Sequence, residues 1–220
     1  MRMDVLVKKR DEHDPRELLI EAAIRLFAER GYAGTSVRQL AEATSLNIAA
    51  VNYYFGGKQE LYAAALRRAF MPVRDALPST AGILEEARAN GAGSAEEGVR
   101  RFIREFMLSL LPTSDGAAHA RLLAREMTDP TPAFERIVRE FVLPRNQVLV
   151  DLLKLSRPDL DDERLQLLAS SIFGQCVFYQ MAQPVSLRVL RRKRMTPDLV
   201  TMLAAHIATF SLAALRDYRV

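Results

Sequence analysis

The stretch NIAAVNYYFGGKQELY, residues 47–62, crowds hydrogen-bonding and aromatic groups into a short span. Placed on a helix at about 100° per residue, Val51 and Phe55 share a face that can pack with Leu46 and a preceding helix. Ala49, Asn52 and Tyr53 fall on another face, with nothing apolar to bury. Small side chains permit close approach to a DNA major groove, and Asn can address adenine through two hydrogen bonds. Ala and Ile methyl groups can touch a thymine methyl. Tyrosine hydroxyls suit phosphate oxygens, which set register rather than read sequence. Lys58, in the first turn of what reads as a new helix, opposes the macrodipole. A phosphate reverses that sign, because helix amides and the ammonium then converge on one anion. Alone the lysine reads equally well as a solvated charge; beside the tyrosines and the turn spacing, the phosphate reading is the stronger.

Short capped helices are needed to present such a face. DPRELLIEAAIRLFAERG places Asp14 as N-cap, Pro15 at the first helical position, Glu17 to complete a capping box and Gly31 as the stop. Leu19, Ala22, Ala23, Leu26 and Phe27 recur at helical spacing. Thr35-Ser36, with Gln39 three residues after Ser36, opens a second helix ending near Ala43. Asn47 caps a third, from about Ile48 to Phe55, and Gly56-Gly57 separates it from a fourth that begins near Lys58. The spacing gives a tail over 1–13, a three-helix helix-turn-helix unit over 14–60 and a larger helical part over 61–220, of about nine helices. Breaks are expected at NGAGS (90–94), PTSDG (112–116), DPTP (129–132), SRPDLDD (156–162) and RMTPD (194–198). Pro144 should kink a helical run from Pro132 to Leu155. The last two long helices span roughly 162–183 and 197–216. The fold class is all-α.

The bulk numbers allow this and exclude little else. The chain has 220 residues, 49% of them hydrophobic, a formal net charge of +4 and one cysteine. A mildly basic chain permits nucleic-acid binding without demanding it. No apolar run of about 18 residues marks a membrane span, and the first residues lack a signal-peptide core. One cysteine excludes an internal disulfide. The expectation is a cytoplasmic protein with no membrane partner.

The segment from 17 to 61 resembles the DNA-binding domain of the TetR/AcrR transcriptional repressors. The shared elements are ELLIEAAIRLFAERGYAGTSVRQLAEA and VNYYFGGKQELYAAAL, with Gly31-Tyr32 before Thr35-Ser36-Val37, and Tyr54-Phe55 before Lys58 and Leu61. The resemblance implies phosphate contacts from Thr35, Ser36, Tyr53, Tyr54 and Lys58. It implies a groove-facing surface of Ile48, Ala49, Ala50 and Asn52, with Asn47 at its edge. Two positions depart from the pattern. The inter-helix turn carries Ser45 where glycine is usual, at a cost of about 1–2 kcal/mol if left-handed. Ile48 stands where a polar residue is usual, and at i, i+3 it could equally turn inward onto Val51. The C-terminal half is similar to a narrower subgroup with a CerR-type C-terminal domain, through AREMTDPTPAFERIVREFVLPR and SIFGQCVFYQMAQP.

That resemblance implies a homodimer, a palindromic operator in double-stranded DNA and a small-molecule effector. Dimer candidates are Leu168, Ile172, Cys176, Tyr179, Leu203, Ile207 and Phe210; the same residues could pack inside one subunit. Phe102, Phe106, Met107, Met127, Phe134, Phe141 and Phe173 offer a pliable pocket lining, with Arg125 and Gln175 to orient a polar group; plain core would use the same types. RVLRRKR (188–194) reads as a solvated loop between the last two helices or, less readily, an anion site, Lys8-Lys9-Arg10 as a frayed tail or groove arm, and Cys176 as buried and inert. His13, His119 and His206 are scattered. No metal-ligand spacing and no nucleophile–base–acid set is present, so neither a metal, a cofactor nor an enzyme is expected. A helical scaffold without DNA function is the rival reading, left open by Ser45 and Ile48.

Overall fold

The computed structural model describes residues 14–75, 77–111 and 117–218. The N-terminal tail, with His13 and the basic triplet at 8–10, lies outside the described residues, as does the expected break at 112–116. All regular structure among the described residues is helical: α1 (Pro15–Arg30), α2 (Val37–Thr44), α3 (Ala49–Phe55), α4 (Lys58–Asp75), α5 (Leu77–Asn90), α6 (Ala92–Leu110), α7 (Ala117–Thr128), α8 (Phe134–Ile137), a π turn (Val138–Val142), α9 (Leu143–Ser156), α10 (Asp162–Met181), α11 (Gln183–Val189) and α12 (Pro197–Asp217).

Side chains supply the caps. Asp14 accepts from the Arg16 amide. Ser36 and Gln39 form a reciprocal box, at 3.2 Å and 2.8 Å. Glu17 does not complete a box on Asp14; its carboxylate reaches across to Arg68 on α4. Gly31 ends α1 with φ 74°. Gly34 is needed for another reason: a Cβ there would sit 2.4 Å from the Arg30 carbonyl oxygen.

Ser45 adopts the left-handed conformation at φ 58° and ψ 24°, so the inter-helix turn forms without its usual glycine. The strain is real but local. Ser45→Gly should raise stability by about 0.5–1 kcal/mol, after subtracting the extra freedom glycine gives the unfolded chain. Thermal unfolding should register a rise of roughly 1–4 °C; an unchanged or lower midpoint would show that the turn carries no such strain.

Pro144 acts one turn earlier than its position indicates. Its ring cannot accommodate the carbonyl four residues back, and the chain widens into the π turn before Pro144 enters the first turn of α9. Pro72 lies inside α4, and Pro184 stands in the first turn of α11, just after α10 ends.

One apolar core runs from Leu19 of α1 to Leu215 of α12. α4 crosses residue 60, so the helix-turn-helix segment and the larger helical part share a helix. α7 packs against α1 and α4, and α12 against α6 and α10. Although no unbroken apolar run marks it, α12 is long and apolar enough to cross a membrane by length and composition, with mean hydropathy 1.6 and 50% of that window buried.

Candidate nucleic-acid interface and effector cavity

α3 is short, and a few side chains fix its orientation. Val51 is fully buried, and Leu46, Ala50 and Phe55 pack partly against the same core. Asn47 sits just outside the helix; its Oδ1 accepts from the Ala49 amide at 3.0 Å. With Val51 pinned, the opposite face is turned outward. Asn47, Ala49 and Asn52 are exposed. Ile48 is 51% exposed, so it faces solvent rather than turning inward onto Val51. Tyr53 is 83% exposed, and its ring meets that of Tyr54 edge-on at 4.9 Å.

Lys58 stands at the first residue of α4. Its Nζ lies 4.3 Å from the centre of the Tyr32 ring, a cation–π contact. Partial burial lowers its pKa from the ordinary lysine value. Ser36 is exposed, and its hydroxyl, which accepts from Gln39, can still donate outward. Thr35 differs from expectation. It is buried, and its hydroxyl donates to the Gly31 carbonyl at 2.9 Å and the Leu26 carbonyl at 3.3 Å. That side chain ties the end of α1 to the start of α2, and it is not placed to meet a phosphate.

A second feature lies in the larger helical part. A cavity of about 350 Å³ opens between α4, α6, α7, the π turn, α9 and α10. Of the pocket candidates Phe106, Met127, Phe141 and Phe173 line it, joined by Phe70, Leu110, Leu123, Ala124, Val177 and Met181. Phe102 and Met107 are buried behind the wall, with Phe102 stacked on Phe106 and edge-on to Phe173. Phe134 is not among the lining residues. The two expected polar orienters are placed elsewhere. Arg125 lies over Gly31 and points at the Glu29 carbonyl, and Gln175 donates to Ser211. The polar groups of the lining are Arg145, Asn146, Ser170 and Gln180. A basic residue directly after Pro144, in the apolar run EFVLPRNQVLV, was the available signal for Arg145.

The expected dimer residues divide. Leu168, Ile172, Cys176, Leu203 and Ile207 are buried within their own subunit. The reason is that α10 and α12 are apolar on both sides, and the regular heptad-like positions are used for the inner one. Burial also pushes the Cys176 thiol up to about 12, which removes it as a nucleophile near neutral pH. Tyr179 is half-buried. The outward faces carry Leu167, Phe178 at 52% exposure, Met202 and Phe210 at 61%. Gly174 and His206 lie between them, beside a shallow cleft with Gln175 and Tyr179.

Two family models match this chain. Residues 95–215, more than half of it, match the C-terminal domain of the HTH-type transcriptional dual regulator CecR, and residues 19–65 match the tetR family of bacterial regulatory proteins. The chain belongs to the tetR family, with a CecR-type C-terminal domain. It is a ligand-responsive DNA-binding regulator, and the scaffold reading falls away. CecR of Shigella flexneri is 26% identical over 176 residues, which cover 76% of this chain and 76% of that protein. Among solved structures, the TetR family regulator PfmR from Thermus thermophilus superposes with a TM-score of 0.63 at 19% identity, covering 90% and 95% of the two chains. The hemolysin II regulator HlyIIR gives 0.59 at 20% identity, covering 87% and 96%. At such identities the structures speak to the fold of this tetR-family regulator alone.

Proposed function

We propose that this regulator acts in the cytoplasm as a homodimeric repressor that grips a palindromic operator and releases it when a small molecule enters the cavity beneath α4. The observation that carries the reading is the outward face of α3. Asn47, Ile48, Ala49 and Asn52 supply short groups for base edges, Ala50 being half-buried against the core instead, while Ser36, Tyr53, Tyr54 and Lys58 surround them with phosphate donors. The partner seam is the outward side of α10 and α12, through Leu167, Phe178, Met202 and Phe210; a two-fold axis there makes the two α3 helices read inverted half-sites.

Coupling between cavity and DNA face has a short physical route. Phe70 of α4 and Leu123, Ala124 and Met127 of α7 all line the cavity. From the same two helices, Tyr62 donates to Glu126 at 2.6 Å, and Arg125 lies against the end of α1. An occupant that moves α4 or α7 therefore moves the elements that hold Lys58 and α3. A coupling of about 1–3 kcal/mol is enough to regulate, and by reciprocity operator DNA should weaken effector binding equally.

Selection from a randomised duplex pool tests the reading: recovery of an inverted repeat supports it, and no enrichment even at low salt defeats it. Lys58→Ala should weaken binding to all sequences and reduce the salt dependence by roughly one unit of slope. Asn52→Ala should instead change which bases are preferred. A Lys58→Ala variant with altered base preference and unaltered affinity would overturn this assignment of roles.

A further inference from the structure

The basic run between α11 and α12 is held in a fixed turn. Arg191 is left-handed at φ 55°, its amide donates to the Arg188 carbonyl at 3.2 Å, and the Arg192 amide donates to the Leu187 carbonyl at 2.8 Å. On the other side Met195 is buried, and the Thr196 hydroxyl caps α12 by accepting from the Leu199 amide. Arg188, Arg191, Arg192, Lys193 and Arg194 are all exposed, and among the described residues none of them forms an ion pair. Asp198 is the one acid lining the cleft that Arg192, Lys193 and Arg194 share. Cations crowded on a fixed turn favour an anion that faces several of them at once.

The turn lies toward the DNA-binding end. α8 begins beside the start of α4, where Arg136 pairs with Glu60 at 3.2 Å, and α9 runs from there to the opposite end. At that opposite end Arg157 donates to the Leu215 and Tyr218 carbonyls of α12 and its C-terminus. α10 returns from it, and Gln175 donates to Ser211 at 3.3 Å. Met181, farther along α10, shares the cavity lining with Met127. The helix of Met127 meets α1 at Gly31 and α4 at Tyr62, one turn from Lys58. From Ser211 back to Pro197 α12 spans about 21 Å, whereas Gln175 to Met181 spans only about 9 Å. The basic turn therefore projects beyond the level of Met181, on the side of Lys58. Met202, on the outward side of α12, lines the same cleft as Arg192, Lys193 and Arg194, so a partner docked there brings its own turn alongside.

We propose that the turn at 188–194 is a second DNA contact, which grips phosphates of the operator segment between the two half-sites read by α3. This rests on the homodimeric DNA-binding reading above. Arginine and lysine on phosphates add affinity and salt dependence and no base preference.

The test uses the full-length protein and the inverted-repeat duplex recovered by selection. Arg192→Gln, Lys193→Gln and Arg194→Gln together should lower affinity about tenfold or more and reduce the salt slope by roughly two units per dimer, with base preference unchanged. Thermal midpoint and sedimentation should match the unaltered protein, because the replaced side chains are exposed. Neutral methylphosphonates in place of the central phosphates should weaken the unaltered protein to a similar extent and barely affect the triple variant. If the variant is misfolded, the methylphosphonate effect on the unaltered protein decides alone. A triple variant with unaltered affinity and slope, or methylphosphonates that do not discriminate between the two proteins, would overturn the second contact and leave the α3 reading standing. If neither protein binds any duplex at low salt, the DNA reading falls and takes this inference with it.

Discussion

Phe210→Asp is expected to turn the regulator into a monomer and to cut its affinity for a palindromic operator by about a hundredfold or more. Phe210 is 61% exposed on α12, so a charge there meets water in the separated subunit and costs the fold little. Across a two-fold seam the same substitution appears twice, and two buried carboxylates would face each other or the partner's apolar surface. Operator binding suffers because each half-site alone must then be held by one short helix, without the high effective concentration of a linked second head. Sedimentation velocity and band shifts on whole and half operators measure both effects. Phe178→Asp on α10 should behave alike. Persistence of the dimer in both variants would place the seam elsewhere. Leu203→Asp is the contrasting case: Leu203 is buried in its own subunit, and the change should unfold the chain rather than split the pair.

Glu126→Ala should destabilise the protein by about 3 kcal/mol, a fall of roughly 6–12 °C in thermal midpoint. Glu126 is 1% exposed and gathers three donors: the Tyr62 hydroxyl at 2.6 Å, the Thr131 amide at 3.1 Å and the Thr131 hydroxyl at 2.9 Å. Removing the carboxylate leaves the buried Tyr62 hydroxyl and the half-buried Thr131 donors without their acceptor, and a buried group costs more to orphan than a hydrogen bond gains when made. Burial, reinforced by the Glu126 charge, already holds the Tyr62 phenol well above its ordinary pKa. Tyr62→Phe alone should cost only about 1 kcal/mol, since Glu126 keeps its bonds to Thr131. The double variant should lose less than the sum, with a coupling of about 1–2 kcal/mol. Strict additivity would mean that the pair carries no joint role in fastening α7 to α4.

The helix-turn-helix part was legible because its signals are local. Ser36 with Gln39, Gly31 and the glycine pair at 56–57 each act within one turn of chain, and Val51 followed by an outward Asn52-Tyr53 follows from periodicity alone. What escaped needed knowledge of neighbours distant in sequence. Glu17 meets the cap criteria, but Arg68 competes for it from α4. Thr35 looks like a phosphate ligand until the Leu26 and Gly31 carbonyls are seen to claim its hydroxyl. Arg125 and Arg145 are equivalent as residue types; only the folds of α7 and α9 send one to α1 and the other to the cavity. In α10 and α12 periodicity fails for another reason. Helices apolar on two sides have no single preferred face, so sequence spacing could not separate Leu203 from Met202, or Ile207 from Phe210.

The helix that begins at Lys58 continues without a joint into the body of the molecule, and its Leu61, Tyr62 and Leu66 are fully enclosed. A graft of residues 14–60 onto another effector body would leave those enclosing surfaces bare and would discard the ring of Tyr62 that braces Phe27 and Tyr32 at 4.8 Å and 5.0 Å. Chimeric sensors built from this protein therefore need their splice well downstream of residue 60, with the host's counterpart of α7 exchanged as part of the same transplant.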